Sequence, residues 1–539
     1  MQARVLLVSS EAVPLVKTGG LADVITALAV ALRKVGIDAS ILMPAYPEAV
    51  RNLGETVQIG LKHGLPGGAG RLLRGTVPGT DVPALLLDTA RFRQRGANPY
   101  LDADGVEFSD NALCFADLSH AAVAICAGET SLPAPHVVHA NDWHAGLIPC
   151  LLKLRGLDHI GTMLTIHNLA FQGNFALSSA EQIGIPQHLL TGDGVEYWGK
   201  LSFLKAGIRF SDCVSTVSRN YAEEIMTPRF GCGMDGILSF RKLDLRAIPN
   251  AIDAELWNPA NDPLIARNFS VGNMKGKSAC KRDLQKLFGL PVDPFAPVMG
   301  LGSRISHQKM ADVVIEALPG ILDRHPRLQV VVLGCGDHDY EDAFLALTRQ
   351  YPGRIAVHIG YDERRAHALH AGSDMLLHPT RFEPFGLTPL YAMRYGAIPI
   401  GSRVGGLVDT VCDADLDPQR ATGVLFEGER VEDMQHAVAR AFALYSDNER
   451  WQSIQRNAMS IDCDWAGPTR AYIDAYAHVA DMAVRPLFAP RPLPVERPAA
   501  QVAQGAVAHE RVAGMVSPAA AIAAALAGVV AGTSAVAAA

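Results

Sequence analysis

A glycine-rich loop near the N-terminus has the residue types that bind phosphate. The octet Lys17–Val24 reads Lys-Thr-Gly-Gly-Leu-Ala-Asp-Val and lies between a predicted strand, Arg4–Ser9, and a predicted helix, Leu21–Val35. Paired glycines let backbone N–H groups approach an anion closely, the start of a helix adds positive potential, and a lysine adds a charge. A Gly-Gly pair alone more often forms an ordinary strand-to-helix turn with a solvated lysine, but the octet as a whole is specific enough to favour a phosphate-binding loop.

Two cations follow a strand that is predicted much later in the chain. Arg304 and Lys309 come after the apolar run Val298–Leu301. A departing diphosphate develops negative charge, which a fixed guanidinium and an ammonium can stabilise without a metal. A helix that begins near Leu387 would direct its free N–H groups at the same phosphates.

A glutamate lies in the loop before that helix. Glu383 follows the predicted strand Met375–Leu377, and Pro384 and Gly386 restrict the backbone beside it. A carboxylate next to an oxocarbenium-like sugar can hold hydroxyls and balance positive charge, as glycosidases illustrate. The alternative, a carboxylate that only satisfies the helix dipole, stays open on these grounds.

Two further polar residues directly follow predicted strands in the first half of the chain. Asp142 comes after Val137–His139, and His167 comes after Met163–Ile166. Ligands of open parallel sheets lie outside the carboxyl ends of the strands, so we expect both side chains to face a ligand. A lone histidine in such a place is otherwise more often structural.

The elements that must position these residues form two blocks of alternating strands and helices, which predict two doubly wound α/β domains facing across a cleft. Turn residues between Asp244 and Asp262 separate the blocks. We predict a first domain over residues 1–250, a second over 251–483, and a Pro/Ala-rich, low-complexity and disordered tail over 484–539. The other strands are predicted at Ala39–Met43, Ala84–Leu87, Cys213–Thr216, Gln329–Leu333, Ile355–Ile359 and Ile398–Ile400. The other helices are predicted at Asn111–Ala127, Ala145–Arg155, Leu201–Ser211, Asp312–Arg324, Arg364–Ala371, Leu387–Tyr395 and Glu432–Tyr445.

Bulk composition excludes several classes of function. The chain has 539 residues, enough for two domains, and a net charge of −7 that offers no basic field for nucleic acid. Its 9 cysteines form no Cys-x-x-Cys pair, which favours a reducing cytoplasm over a zinc or disulfide framework. The Ala-rich end, Ala519–Ala539, is too weakly apolar and too interrupted to predict a membrane span.

Five motifs, in order and at similar spacing, resemble the bacterial glycogen synthases and plant starch synthases. The resemblance runs from about Val5 to about Tyr476. The motifs are the octet Lys17–Val24, His139-Ala140-Asn141-Asp142-Trp143-His144, Thr165-Ile166-His167-Asn168-Leu169, Ser303-Arg304 with Gln308-Lys309, and Arg381-Phe382-Glu383-Pro384-Phe385-Gly386-Leu387.

That resemblance implies two Rossmann-like domains in the GT-B arrangement and retaining transfer of glucose from ADP-glucose to the non-reducing end of an α-1,4-glucan. It implies no metal and no cofactor, whereas the oligomeric state stays open. By resemblance, His167 lies over the donor glucose and Asp142 on the acceptor side. The implied catalytic residues are Glu383, His167, Asp142, Arg304 and Lys309. The implied donor contacts are Lys17, Gly19, Gly20, Asn250, Arg304, Lys309, Tyr361, Gly386, Leu387 and Thr388.

Three positions depart from the family pattern. Met310 and Ala251 stand where the family usually has glycine, and Phe385 stands where bacterial members often carry cysteine. The first two place bulk beside backbone that should bind ligand. We expect them to affect turn geometry and donor affinity.

Three alternative functions compete with this interpretation. An NAD-dependent oxidoreductase would need Gly-x-Gly-x-x-Gly, but the nearest match, Gly334-Cys335-Gly336, ends at Asp339. The Asp-x-Asp strings at residues 102–104 and 413–415, which metal-dependent sugar transferases can carry, are interpreted as solvated turns. A catalytically inactive glucan- or nucleotide-sugar-binding homologue is the third alternative.

Overall fold

The computed structural model describes residues 3–96, 98–102 and 105–482, so the predicted tail lies outside the described residues. The described chain divides into two compact units. Unit 1 contains residues 3–216, 223–247 and 469–482, and unit 2 contains residues 217–222 and 248–468. The predicted boundary segment, Asp244–Asp262, includes the point after Ala247 where the chain leaves unit 1, whereas the short excursion at 217–222 was not foreseen.

Unit 1 is built on a mixed sheet that is mainly parallel. The sheet order in the described residues is β12-β11-β7-β6-β1-β2-β5-β4-β3, with antiparallel pairing only at the β5-β4-β3 edge. A small antiparallel sheet has the order β8-β10-β9. The strands are β1 (Arg4–Val8), β2 (Asp38–Pro44), β3 (Val57–Gly60), β4 (Gly70–Thr76), β5 (Pro83–Thr89), β6 (Val137–Asn141), β7 (Gly161–Ile166), β8 (Asn174–Ala176), β9 (Glu196–Tyr197), β10 (Lys200–Ser202), β11 (Cys213–Thr216) and β12 (Leu245–Ala247). The helices in this part of the chain are α1 (Gly20–Lys34), α2 (Pro47–Leu53), α3 (Asn111–Cys126), α4 (Ile148–Leu154), α5 (Phe203–Phe210), α6 (Arg219–Glu224) and α7 (Asp235–Phe240).

Unit 2 is built on a parallel sheet of order β15-β14-β13-β16-β17-β18. Its strands are β13 (Val298–Gly302), β14 (Gln329–Gly334), β15 (Ile355–Ile359), β16 (Met375–His378), β17 (Ile398–Ser402) and β18 (Val424–Phe426). Its helices are α8 (Lys277–Leu287), α9 (Ala311–Arg324), α10 (His338–Gln350), α11 (Glu363–Gly372), α12 (Leu387–Arg394), α13 (Gly406–Thr410), α14 (Val431–Ser446) and α15 (Asn448–Met459).

The central strands of both sheets are buried on both faces, which explains their continuous apolar runs. Residues 5–8 of β1 and 298–301 of β13 are buried throughout, as expected for parallel strands covered by helices on each side. In unit 1, α3 is buried around almost its whole circumference, which its small apolar residues allow. These rigid strands fix the positions at which the candidate site residues emerge.

The last described helix, α16 (Ala466–Met482), packs on unit 1. The Tyr476 hydroxyl lies 2.8 Å from His139 Nδ1 on β6, and the ring of Tyr472 lies 5.5 Å from the His139 ring. The sequence-based boundary assigned residues up to 483 to the second domain, whereas these contacts group residues from Thr469 onward with unit 1. Amphipathic spacing indicates that a helix has a face to bury, but it does not identify the surface against which that face packs.

The fold class, two doubly wound α/β units, is confirmed, and every strand predicted from the sequence is present. The predicted helix Leu201–Ser211 begins at Phe203, because residues 200–202 form β10. The sequence analysis missed the following elements, which include the longer helices α8, α10, α15 and α16: β3, β4, β8, β9, β10, β12, β18, α2, α6, α7, α8, α10, α13, α15 and α16. Within the described residues, no helix is long and apolar enough to cross a membrane.

Candidate active site

The glycine-rich loop of unit 1 is held by a buried carboxylate that the sequence analysis missed. Glu11, just after β1, accepts hydrogen bonds from the Thr18 N–H and hydroxyl at 2.5 Å and from the Gly19 N–H at 3.2 Å. The Tyr100 hydroxyl also donates to Glu11. The sequence predicts that the loop amides bind a phosphate, but those of Thr18 and Gly19 donate to this carboxylate. A buried glutamate soon after the first strand was the available signal.

We expect Glu11→Gln to lower kcat/KM for the sugar nucleotide by about tenfold to a hundredfold. The N–H₂ group of glutamine cannot accept the hydrogen bonds that Thr18 and Gly19 donate to the Glu11 carboxylate, so the loop is displaced. Steady-state kinetics with varied donor would measure this change. Glu55→Gln, in an exposed loop of the same unit, is the matched control. Kinetics of Glu11→Gln within twofold of the parent would contradict the role of Glu11 in bracing the loop.

Lys17 and the glycines occupy the positions that the octet predicts. Lys17 Nζ lies 2.9 Å from Asp23 Oδ1, so two charges of the same octet pair across the first turn of α1. Gly19 is the residue before α1, and a Cβ built on it would meet nothing within 4 Å. Gly20 is the first residue of α1. The space beside Gly19 is consistent with a ligand approaching the backbone at this point.

Asp142 and His167 are brought together at the carboxyl ends of β6 and β7. Asp142 Oδ1 accepts the backbone N–H groups of His167 at 2.7 Å and Asn168 at 3.2 Å. His167 Nε2 lies 2.9 Å from Asn141 Oδ1, while the Asn141 amide N–H₂ donates to the Val8 and His139 carbonyls. Because that amide orientation leaves only an oxygen for His167, the network assigns the proton to Nε2 and leaves Nδ1 as an acceptor.

Burial sets the charge of both groups. It lowers the pKa of His167 to about 3, so the imidazole is neutral at physiological pH. Burial raises the pKa of Asp142 to about 7, against the opposing effect of the His167 and Asn168 N–H groups. Asp142 has φ 54°, a left-handed backbone that is uncommon outside glycine and concentrates at functional sites.

In unit 2, a cation, an imidazole and a carboxylate form a buried cluster. Lys309 Nζ and Glu383 Oε2 form an ion pair, and His378 Nε2 lies 3.0 Å from the same oxygen. Burial alone would raise the pKa of Glu383, but Lys309 and His378 outweigh it and lower the pKa to about 2. Glu383 is therefore ionised at every working pH. The sequence analysis predicted Lys309 and Glu383, whereas His378 was missed.

Arg381 joins the loop that carries Lys309 to the loop that carries Glu383. Its guanidinium donates to the His307 carbonyl at 2.5 Å and, through two nitrogens, to Asp312 at 3.0 and 2.8 Å. The Arg381 N–H donates to the Gln308 carbonyl at 2.9 Å. This bidentate pair places Lys309 against Glu383. Arg381 belongs to a motif recognised in the sequence, but its role was not predicted.

Glycines close to Glu383 leave room for its backbone. A Cβ on Gly405, which has φ 48°, would lie 1.8 Å from the Glu383 carbonyl oxygen. Gly406 donates its N–H to the same carbonyl at 2.9 Å. Gly386 has φ 91° and precedes the first residues of α12, Leu387 and Thr388. These glycines allow the backbone around Glu383 a conformation that residues with a Cβ could not adopt without strain.

The departures from the family pattern are accommodated without loss of the turn. Met310 adopts φ 52° and ψ 36°, the left-handed conformation that glycine takes freely, and its side chain is fully buried. Its Sδ lies 3.8 Å from Ser402 Oγ. Ala251 and Phe385 are also buried, and Phe385 is part of the main core of unit 2. Met310 therefore adds core contacts while it bears backbone strain.

We expect Met310→Gly to lower the free energy of unfolding by about 1–3 kcal/mol, because the lost buried side chain outweighs a strain relief of about 1 kcal/mol. The turn itself should persist, so kcat should stay within a few-fold. Urea unfolding and steady-state kinetics would measure both quantities. Met310→Leu, which keeps side-chain volume, is the control. A glycine variant more stable than the parent would show that strain dominates at this position.

The remaining predicted donor contacts lie in unit 2. Arg304 is exposed, donates to Gln308 Oε1 at 3.1 Å, and lines the same recess as Lys309. Tyr361, exposed after β15, donates its hydroxyl to Glu363. The buried Oδ1 of half-buried Asn250 has no hydrogen-bond partner in the part of the chain that the structure describes. An unpaired buried amide oxygen is a candidate ligand contact.

The string at residues 413–415 differs in part from its prediction as a solvated turn, because Asp415 is exposed but Asp413 is not. Asp413 is buried and pairs with Arg403 at 2.8 Å and with Arg440 at 2.9 Å, so it is a structural ion-pair centre. Residues 103 and 104 of the other string lie outside the described residues. Over residues 3–96, 98–102 and 105–482, no group of three or more His, Cys, Asp and Glu side chains is arranged to hold a metal ion.

Comparisons with known proteins identify the class of protein to which this fold belongs. Residues 4–240 match the starch synthase catalytic domain family, and residues 294–458 match glycosyl transferases group 1. The catalytic domain of starch synthase IV from Arabidopsis thaliana bound to ADP and acarbose superposes with a TM-score of 0.80 at 28% identity, over 89% of this chain and 100% of that one. The fold and these matches define a glycosyltransferase.

Sequence relatives identify the family. The glycogen synthase of Bordetella petrii is 48% identical over 91% of this chain and 96% of its own length. The glycogen synthase of Ralstonia nicotianae is 47% identical over 93% and 95%. The chain belongs to the glycogen synthase family.

Proposed function

We propose that the chain transfers glucose from ADP-glucose to the non-reducing end of an α-1,4-glucan with retention of configuration, as in glycogen biosynthesis. The observation that carries this proposal is the buried Lys309–Glu383–His378 cluster, in which a carboxylate is kept ionised beside a cation. A permanent negative charge suits the stabilisation of an oxocarbenium-like glucosyl group, and an adjacent ammonium suits the diphosphate that leaves it.

Unit 2 supplies the donor contacts in this proposal. Arg304 and Lys309 bind the diphosphate, and Lys309 is shared between Glu383 and the phosphate as negative charge develops. The first N–H groups of α12, at Gly386, Leu387 and Thr388, add to this anion site. Tyr361 contacts the base, and the unpaired oxygen of Asn250 accepts a hydroxyl of the donor. These roles rest on the family motifs and on the positions described above.

Unit 1 supplies the contacts to the reacting glucose and to the acceptor. Neutral His167 offers Nδ1 to a glucosyl hydroxyl, and its Nε2–H stays on Asn141. Asp142 holds the His167 backbone on the acceptor side. Lys17 and the loop at Gly19 and Gly20 serve the donor phosphates through groups other than the Gly19 N–H, which donates to Glu11 and so fixes the loop.

Relatives support the adenine nucleotide. The Arabidopsis starch synthase IV structure, 28% identical to this chain, contains ADP. We propose an enzyme that needs neither metal nor cofactor and that works in the cytoplasm, with a domain boundary near residue 250. The cysteines of the described residues, none of which is disulfide-bonded, are compatible with that compartment.

A direct assay tests the proposed function. Purified protein is given glycogen with labelled ADP-glucose or labelled UDP-glucose, with and without EDTA, and incorporation into polymer is followed. We expect faster incorporation from ADP-glucose, no effect of EDTA, and label released by an α-1,4-specific hydrolase. Glycogen binding without incorporation would instead establish the inactive glucan-binding alternative.

A further inference from the structure

The turn between β9 and β10 places a tryptophan in an unfavourable backbone conformation. Lys200 pairs opposite Tyr197, so Trp198 and Gly199 form a two-residue hairpin turn. Their φ angles are 50° and 76°. Hairpin turns with positive φ at both positions favour Asn-Gly, because most L residues are strained in the left-handed region. Trp198 therefore costs backbone energy at this position.

Burial does not compensate for that strain. The side chain of Trp198 is 84% exposed. A tryptophan stabilises a fold mainly through the ring area that it removes from water, and this ring removes little. Backbone strain that side-chain packing does not offset is a feature of functional positions.

The exposed indole contacts the ring of Tyr197, whose own position is fixed by a hydrogen bond. The Tyr197 and Trp198 ring centroids lie 6.4 Å apart at 80°. The Tyr197 hydroxyl donates to the Cys232 carbonyl at 2.6 Å, and Gln172 Nε2 donates to the same carbonyl at 3.0 Å. A Cβ on Gly233 would lie 2.4 Å from the Tyr197 hydroxyl and 3.5 Å from the Trp198 indole nitrogen. A rigid aromatic surface of this kind binds with a small loss of conformational entropy.

The distribution of strained residues points in the same direction. Among the described residues, the non-glycine positions with positive φ are Asp142, Trp198, Cys232 and Met310. Asp142 holds the His167 backbone in unit 1, and Met310 directly follows Lys309 in unit 2 with its side chain in the core. The other two meet at the aromatic surface, where the Cys232 carbonyl anchors Tyr197. Among the described residues, two of the four non-glycine positions with positive φ, Trp198 and Cys232, thus lie in this hairpin or contact it.

Short stretches of chain connect this surface to the candidate active-site residues of unit 1. Asn168, next to His167, accepts the Phe171 N–H through its carbonyl at 3.2 Å. Phe171 is 46% exposed and is followed by Gln172, which shares the Cys232 carbonyl with Tyr197. Asn168, Phe171 and Gln172 thus lie on one short segment, and Gln172, whose amide oxygen also accepts a hydrogen bond from Asn174, joins that segment to Tyr197 through the Cys232 carbonyl. Aromatic faces suit the C–H faces of sugar rings, and amides suit their hydroxyls.

We propose that Trp198, with Tyr197, Gln172 and Phe171, forms an outer subsite that binds the α-1,4-glucan acceptor chain beyond the residues next to the reacting end. This inference rests on the proposed function and adds a second point of contact for the same α-1,4-glucan acceptor. Long acceptors reach the subsite, whereas short oligosaccharides do not. Trp198 thereby favours polymer over short chains.

The test uses Trp198→Asn in the full-length protein, because asparagine is preferred in this turn and the variant should be at least as stable as the parent. We expect KM for glycogen to rise about tenfold. We expect KM for maltotriose, KM for the sugar nucleotide and kcat to stay within about twofold. Trp198→Tyr, which keeps an aromatic face, should restore most of the glycogen affinity.

Leu243→Asn is the matched control, because Leu243 is 90% exposed in the same unit and makes no part of the aromatic surface. Retardation by glycogen in native gels without donor should fall for Trp198→Asn and not for the control. Equal retardation of the two variants would overturn the proposal. The proposal would also be overturned if Trp198→Asn changed sedimentation without changing retardation by glycogen. That result would assign the Trp198 ring to contact between copies of this chain. Failure of the parent to incorporate glucose would refute the proposed function, while the gel comparison would still decide the role of Trp198.

Discussion

Glu383→Gln should lower kcat by about a thousandfold while donor affinity is kept or improved. The substitution removes a charge that is ionised at every working pH and preserves the shape of the side chain. It also frees Lys309 from its ion pair, so the ammonium is more available to a diphosphate. Single-turnover kinetics and calorimetric titration with ADP would measure the two effects separately.

Glu341→Gln is the matched control for Glu383→Gln. Glu341 is also a buried glutamate of unit 2, accepts the Gly336 N–H at 2.7 Å and pairs with His338 at 3.2 Å. We expect its loss to affect stability and not turnover. A Glu383→Gln enzyme with kcat within a few-fold of the parent would mean that Glu383 is not the catalytic carboxylate.

The positions of the chemical groups were predictable because the parallel strands end where such groups must emerge. Apolar runs identified β6, β7, β13 and β16, and the polar residues after them follow from that periodicity. Lys309 and Glu383 could therefore be placed near a ligand before their contact was known. Their direct pairing could not be predicted, since it depends on how two loops 74 residues apart are joined.

The missed residues share a physical reason. Tyr100 and Arg381 act through contacts between segments distant in sequence, and Glu11 acts through hydrogen bonds within an irregular loop. Neither kind of contact leaves a periodic pattern. His378 ends β16, one residue beyond the predicted strand Met375–Leu377, and its imidazole lies on Glu383. A buried titratable residue at the end of a parallel strand was the signal for it.

The family departure at Met310 illustrates the limit of reasoning from residue type. A buried methionine at a usual glycine position suggested a disturbed turn, but the backbone keeps the left-handed conformation. Core packing of the side chain offsets the strain in the folded state. Sequence alone shows the conflict between these two effects, and only the surrounding core determines which of them is larger.

Lys309→Met should weaken donor binding and turnover together, in contrast to Glu383→Gln. The ammonium serves the departing diphosphate in the proposed function, and we expect kcat/KM to fall by about a thousandfold or more. Lys309→Met, unlike Glu383→Gln, also leaves the ionised Glu383 carboxylate buried without its cation. The free energy of unfolding should therefore fall by about 3–5 kcal/mol.

The double variant Lys309→Met/Glu383→Gln separates the two roles of Lys309. Removing the carboxylate should restore most of the stability, because no unpaired buried charge remains, but donor binding and turnover should stay low. Lys281→Met is the control for burial alone, since Lys281 and Asp374 are 9% and 14% exposed, against 11% and 10% for Lys309 and Glu383. We expect it to lose stability and keep donor affinity. If Lys309→Met bound ADP as well as the parent did, Lys309 would serve only to hold Glu383, and the diphosphate would need another cation.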